Sequence, residues 1–427
     1  MNISVLGLGY IGLPTAAMLA QAGHVVYGYD VNGALLEELR AGRVSIGEPE
    51  VRALTQAAIE TGYLLVSDVV PRADAYIVCV PTPTVGNRPD LRCVEDAAAR
   101  IAAVAPRGSM IVLESTVPPR TTERLFEAAF ASAGKSIDEM CLAHCPERVL
   151  PGAIVHELRY NARIVGGRRP EDARAVRKLY ETFCKGEITE TDCVTAELSK
   201  VVENTYRDVN IAFANELALL AEELGVDVWE TIALANRHPR VNILAPGPGV
   251  GGHCIPVDPH FLSNANPFVT ELIQTARRVN HRMPYRIAHR VCEFLPGNAF
   301  GKRVAIFGAA YKRDVDDARE SPALDIFALL RERGIETTLY DPLVRSCGVP
   351  LAATVQEALR EADVLVIATD HSQFASLEPA EVMALMRGRA IVDARRMLDA
   401  DRWRRAGFDV YVLGEKPPAA AARAAVA

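Results

Sequence analysis

A chain of 427 residues is too long for one ordinary hydrophobic core, so two or three domains are expected. Hydrophobic residues make up 49% and charged residues 24%, and a net charge of -7 excludes the basic surface that a nucleic-acid partner requires. No apolar run reaches the roughly 18 to 20 residues of a membrane span and the N-terminus shows no cationic leader, so a cytoplasmic protein with no membrane partner is expected.

The chain opens with a short apolar strand, Ile3-Ser-Val-Leu-Gly7, a helical pattern over Pro14 to Ala22, and a second strand, Val25 to Asp30. At the strand-to-helix junction stands GLGYIG. Gly7, Gly9 and Gly12 permit a tight turn, close approach of a pyrophosphate and close helix packing, and the helix N-terminus faces the phosphates. A lone GxGxxG is weak, but this one has a strand before it, a helix after it and Asp30 eighteen residues beyond Gly12 to accept from ribose hydroxyls. Val31-Asn32 offers no arginine to a 2′-phosphate, so the reading is NAD rather than NADP.

Strand-like runs at Ala75 to Val80, Met110 to Leu113 and Ala162 to Gly166 alternate with helical segments, as in a doubly wound parallel sheet. Thr82 and Thr116 end two of these runs, where a threonine either caps a helix or meets a ligand. In Cys141-Leu-Ala-His144-Cys145 the strand period sends His144 and Cys145 to opposite faces, which argues against zinc. The nine cysteines, with no CxxC pair, read as reduced thiols rather than a disulfide framework. Glu147 follows a strand, at the sheet edge where α/β proteins bind ligands.

Val194 to Leu224 is a long helical pattern that Gly225 stops, and it links the two halves. Lys200, Asn204 and Arg207, spaced by four and three, share one face, and spacing alone leaves that face open between solvent and a site. Segments 226–236 and 269–295 complete a central helical layer, a natural place for subunits to pair. Within it lies GVGGHCIPVDP, residues 249–259. Its glycines leave the Cys254 thiol accessible and Asp258 is near enough to orient a water or a base, which favours a nucleophile over a buried structural cysteine. His253 is open between packing and chemistry.

A second pass of the same theme begins at Lys302, with strands at Arg303 to Gly308, Thr337 to Asp341 and Ala362 to Ala368 and a helix from Ser321 to Arg333. Here Gly308-Ala-Ala-Tyr311-Lys312 replaces the later glycines, so a different phosphate-bearing ligand is expected rather than a second dinucleotide. Pro417 onward has little to pack with and belongs to a tail expected at 416–427.

Together GLGYIG, CPER at 145–148, the Lys200/Asn204 helix, GVGGHCIPVDP and FGAAYKRDVDDARESP at 307–322 resemble the UDP-glucose/GDP-mannose dehydrogenase family, over residues 1 to about 415. The resemblance implies two Rossmann-like doubly wound α/β domains joined by a central long helix and helical dimerisation layer. The boundaries expected are 1–193 for NAD, 194–298 for the central domain with the cysteine loop, and 299–415 for the UDP-sugar. CPERVLPG and His238-Pro-Arg240-Val resemble the branch acting on UDP-N-acetylmannosamine, with UDP-N-acetylglucosamine and UDP-glucose the alternatives, and imply a homodimer making uronic acids for surface polysaccharide.

The resemblance also implies roles. Cys254 forms a thiohemiacetal and then a thioester, Lys200 and Asn204 serve the oxyanion, and Glu147 or Asp258 directs the hydrolytic water. Tyr10, Ile11, Asp30, Thr82 and Thr116 join the glycines at NAD. Arg148, Val149, Lys200, Asn204, Arg207, His238, Arg240, Gly251, Tyr311, Lys312 and Arg319 meet the nucleotide sugar, with Arg240 reaching toward a neighbouring subunit and Arg395 a weaker candidate. A non-catalytic NAD sensor or scaffold, and a two-electron β-hydroxyacid dehydrogenase, are the rival readings. The first predicts decay of the set Cys254, Lys200 and Asp258, yet all are present.

Overall fold

The computed structural model describes residues 1–149, 152–295, 297 and 300–416. The expected tail from Pro417 onward, and Pro151 of CPERVLPG, lie outside the described residues. In chain order the strands are β1 (Asn2–Leu6), β2 (Val25–Tyr29), β3 (Leu64–Ser67), β4 (Ala75–Val78), a small hairpin of β5 (Thr84–Val85) and β6 (Arg88–Pro89), β7 (Met110–Leu113), β8 (Cys141–His144), β9 (Arg163–Gly167) and β10 (Ile188–Asp192). The second series is β11 (Arg303–Phe307), β12 (Glu336–Tyr340), β13 (Val364–Ile367), β14 (Ala390–Asp393) and β15 (Asp409–Val412). The described chain forms two compact units, Met1–Glu203 with His260–Pro267, and Asn204–Pro259 with Phe268–Ala427.

The first unit carries an eight-stranded sheet in the order β10-β9-β8-β7-β4-β1-β2-β3. From β3 to β8 every neighbouring pair is parallel, in the doubly wound order with its switch point between β1 and β4. The expectation of a wholly parallel sheet needs one amendment. β9 pairs antiparallel with β8 and parallel with β10, so the last two strands run backwards.

Strand alternation builds the core on both faces. Ile3, Val5, Ile77 and Val112 pack on one side and Leu6, Val78, Ile111 and Leu113 on the other. Each such buried side chain is worth roughly 1.5–3 kcal/mol against exposure. The apolar runs that read as buried strands are therefore buried on both faces, as parallel sheets require.

The second unit has a five-stranded, fully parallel sheet in the order β12-β11-β13-β14-β15. Val304, Ile306, Val364 and Val366 fill one face and Phe307, Leu365 and Ile367 the other. The long helix runs Cys193–Leu224 and Gly225, at φ 73°, ends it as expected. The helix Glu271–Glu293 keeps Pro284 in its interior.

Candidate active site

In the first unit the glycine loop is shaped by contact. A Cβ on Gly7 would sit 2.6 Å from the Cys79 carbonyl oxygen, and one on Gly12 would sit 1.8 Å from the Gly7 carbonyl oxygen. Gly9 is different. Nothing lies within 4 Å of the Cβ it lacks, so the backbone is open where a pyrophosphate approaches. Asp30, at the end of β2, accepts from Leu8 N at 2.8 Å and Asn32 N at 2.9 Å, which fixes the carboxylate beside the loop. Asn32 caps the next helix through Leu35 N, so the second position after Asp30 is already used. The loop and Asp30 thus fit an NAD adenosine half.

Around this loop the other candidates are tied into the sheet edge. Tyr10 is 43% exposed and donates to Glu48 at 3.1 Å, and Glu48 also accepts from Gly152 N and Ile154 N. Ile11 is half-buried just before the helix Gly12–Gln21. Thr82 donates to the Thr116 carbonyl at 2.7 Å, so these two threonines, predicted separately, join the loops after β4 and β7.

Glu147 is engaged on both oxygens, by Arg148 N at 2.6 Å and by the buried Arg163 guanidinium at 3.1 Å. Arg163 also faces Glu114 at 3.9 Å and stacks over Tyr180. Burial raises the Glu114 pKa, while Arg163 pulls the other way. Arg148 pairs with Glu203 at 2.6 Å, and Val149 beside it is half-buried. Lys200, half-buried, stands one turn after Glu197, a residue the sequence reading passed over. Glu197 is fully buried and accepts from Arg120 N, Thr122 N and Thr122 Oγ1 at 2.5–2.7 Å, which locks the start of the long helix to the loop after β7. A lone glutamate among polar helix residues gave no signal for this.

In the second unit the cysteine loop is held from two sides. Asn210 and Asn215 of the long helix accept from Leu244 N and Gly247 N, each at 2.8 Å, and Asn210 donates to the Asn242 carbonyl. From the other side, Gly252 N donates to the Arg319 carbonyl at 3.0 Å, and a Cβ on Gly251 would meet the Glu320 carbonyl oxygen at 2.5 Å. Gly252, at φ 88°, packs on the Tyr311 ring, where a Cβ would lie 2.9 Å from it. Only glycine allows both the turn and the approach.

The loop presents Cys254 half-exposed, and its carbonyl accepts from Asp258 N at 2.9 Å, so the cysteine sits on the turn into the helix Asp258–Ala265. Asp258 is 4% exposed and accepts from Asn204 Nδ2 at 2.6 Å. These residues, fifty-four apart in sequence, do meet. Arg207, His238, Arg240, Lys312 and Arg319 are exposed cations or candidate cations of the same unit, and Arg240 N donates to His238 Nδ1 at 3.3 Å. Arg319 is gripped by Asp317 through two nitrogens. Arg395 pairs with Asp370 at 3.0 Å and packs under Gly247, a structural pairing beneath the loop.

Asp341, which ends β12 as Asp30 ends β2, is spent on the protein itself. It accepts from Ala309 N, Ala310 N, Leu343 N, Val344 N and His371 Nε2 at 2.7–3.0 Å. Burial opposes its charge, but His371 and the backbone donors outweigh that and bring its pKa to about 2. Both carboxylate oxygens of Asp341 thus accept more than one donor each from the protein.

Models of the UDP-glucose/GDP-mannose dehydrogenase family match three consecutive stretches, the NAD binding domain at residues 1–184, the central domain at 194–282 and the UDP binding domain at 305–400. The chain belongs to this family and is an NAD-dependent nucleotide-sugar dehydrogenase. It is 42% identical to a UDP-N-acetyl-D-mannosamine dehydrogenase of Methanococcus aeolicus, over 97% of this chain and 95% of that one. It is also 43% identical to an NDP-N-acetyl-D-galactosaminuronic acid dehydrogenase of Ralstonia nicotianae, over 94% and 97%. Among solved structures, the UDP-D-ManNAc dehydrogenase of Pyrococcus horikoshii superposes with a TM-score of 0.92 at 41% identity, covering 97% of this chain and 99% of that one.

Proposed function

We propose that this protein oxidises the C6 hydroxymethyl of UDP-N-acetyl-D-mannosamine to the carboxylate, as a cytoplasmic homodimer supplying a uronic acid for surface polysaccharide. The observation that carries the reading is the loop that offers Cys254 beside the Asn204–Asp258 pair, since a two-electron alcohol oxidation needs no thiol. Relatives at about 42% identity with the UDP-N-acetylmannosamine name support the sugar. The three-part layout of 1–193, 194–298 and 299–415 is part of the same proposal.

NAD, when bound, would supply hydride acceptance for two successive oxidations at C6. Gly7, Gly9, Tyr10, Ile11, Gly12, Asp30, Thr82 and Thr116 would hold it. Lys200 takes the hydroxyl proton as the aldehyde forms and returns one to the oxyanion when Cys254 adds, with Asn204 a second donor. That addition makes the S–C6 bond, and the carbonyl pair becomes the hydroxyl of a thiohemiacetal. Lys200 receives the proton again in the second round, leaving a thioester. Asp258 or Glu147 orients the water that attacks it, the C6–S bond breaks, and the thiolate leaves. Arg148, Val149, Arg207, His238, Arg240, Gly251, Tyr311, Lys312 and Arg319 serve the nucleotide sugar, where guanidinium forks suit a diphosphate.

Helix geometry supports the dimer. Tyr206, Phe213, Leu220 and Leu224, spaced by seven, seven and four, form one exposed apolar face of the long helix, each at least 49% exposed. The decisive experiment gives purified protein UDP-N-acetylmannosamine, UDP-N-acetylglucosamine, UDP-N-acetylgalactosamine and UDP-glucose in parallel and counts NADH per uronate. Two NADH per product and highest kcat/KM on the mannosamine sugar are expected; preference for another sugar overturns the substrate, and one NADH per product overturns the thioester route.

A further inference from the structure

Adjacent residues in an extended chain point to opposite faces, yet the side chains of His253 and Cys254 meet. The backbone bends from Gly252 to Cys254, and the φ of 88° at Gly252 starts the bend. His253 Nδ1 then lies 3.0 Å from Cys254 Sγ, within hydrogen-bond reach for sulfur. A thiol with an ordinary pKa near 8.5 is mostly protonated at neutral pH, so the nucleophile needs a proton acceptor.

We propose that His253 is a catalytic residue that takes the Sγ proton of Cys254 on Nδ1, leaving a thiolate facing an imidazolium. The inference rests on the reading of Cys254 as the nucleophile. The bond broken is S–H, the bond made is Nδ1–H, and the sulfur keeps the electron pair with which it attacks C6. When the thioester is hydrolysed, the departing thiolate again faces the imidazolium.

The surroundings select the histidine for this task. Arg319, Asp317 and Tyr311, all of the loop packed against Gly251 and Gly252, are among the charged and titratable groups facing the pair. Arg319 would favour a thiolate, but Asp317 binds it through two nitrogens and cancels much of its field. Tyr311 is pushed up by burial and then by Asp317, so it stays a neutral phenol. Partial burial first, and Arg319 second, lower the His253 pKa, which keeps the ring neutral while the thiol is protonated; once the proton has moved, the charge of the adjacent thiolate holds it on the ring.

The test reads the thiol without sugar or NAD. Iodoacetamide labelling of the Cys254 peptide is followed by mass spectrometry from pH 5 to 10 in the wild type, His253→Asn and His253→Gln. The exposed Cys93 of the same molecules serves as internal reference. The wild type is expected to label with an inflection well below about 8.5, moving up toward that value in both variants, with labelling at pH 7 falling about tenfold or more and Cys93 unchanged. An unchanged Cys254 profile, or equal shifts at Cys93, overturns the proposal. Failure of the nucleophile reading is separately visible, since Cys254→Ser would then still complete both oxidations.

Discussion

Cys254 reaches solvent because Gly251 and Gly252 let its loop lie against Glu320 and Tyr311. Gly252→Ala places a Cβ into the Tyr311 ring at a φ of 88°, and left-handed backbone alone costs roughly 1–2 kcal/mol. A fall of about tenfold or more in kcat with NAD binding intact is expected, read by steady-state kinetics beside NAD titration. Cys254→Ser should make no more than one NADH per sugar and leave no thioester, which single-turnover absorbance checks; two per sugar would sink the mechanism. Asp30→Ala removes the acceptor beside the glycine loop and releases Leu8 N. Its KM for NAD should rise at least about tenfold, a loss of roughly 1.4 kcal/mol, while nucleotide-sugar affinity holds.

At the scale of elements, a helix positions a loop and a strand buries a base. Asn210 and Asn215 project from the long helix to the backbone of the segment leading to Cys254. Asn215→Ala should reduce kcat/KM by up to about a hundredfold through misplacement of the thiol, with a native-like far-ultraviolet spectrum. His144 of β8 is 0% exposed and burial lowers its pKa to about 3. The folded state therefore refuses a proton that the unfolded chain takes below 6.5, so this contribution is complete above pH 6.5 and is lost as pH falls toward 3. Between pH 6.5 and 5 the loss is about 2 kcal/mol. His144→Leu should flatten that part of the pH dependence of urea midpoints, and an unaltered slope would refute the assignment.

For the whole molecule, one strand-helix-strand rule is used twice, and the carboxylates that end the two second strands are loaded differently. Asp30 meets two backbone donors, whereas Asp341 meets four and a histidine. Light scattering should give twice 46.3 kDa for the wild type and an increase in monomer for Phe213→Glu, which charges the exposed face of the long helix. A monomeric wild type would overturn the dimer.

Sequence by itself determined the family, the two α/β folds and the cofactor. Buried strands must be continuous apolar runs, a pyrophosphate loop must be glycine-rich, and a thiol among glycines stands out against its neighbours; all three are local constraints. The reversal of β9 and β10 was not legible, because strand direction is set by pairing rather than by pattern. Nor were the grip of Arg163 on Glu147, the lock made by Glu197 or the five donors spent on Asp341. Leaving aside Leu343 N and Val344 N, which are local to Asp341, such partners lie sixteen to seventy-seven residues apart, and only packing of distant segments sets which groups share a few ångströms. His253 is the instructive case. Its place beside Cys254 was plain in the chain, but the turn that makes the two side chains converge belongs to the fold.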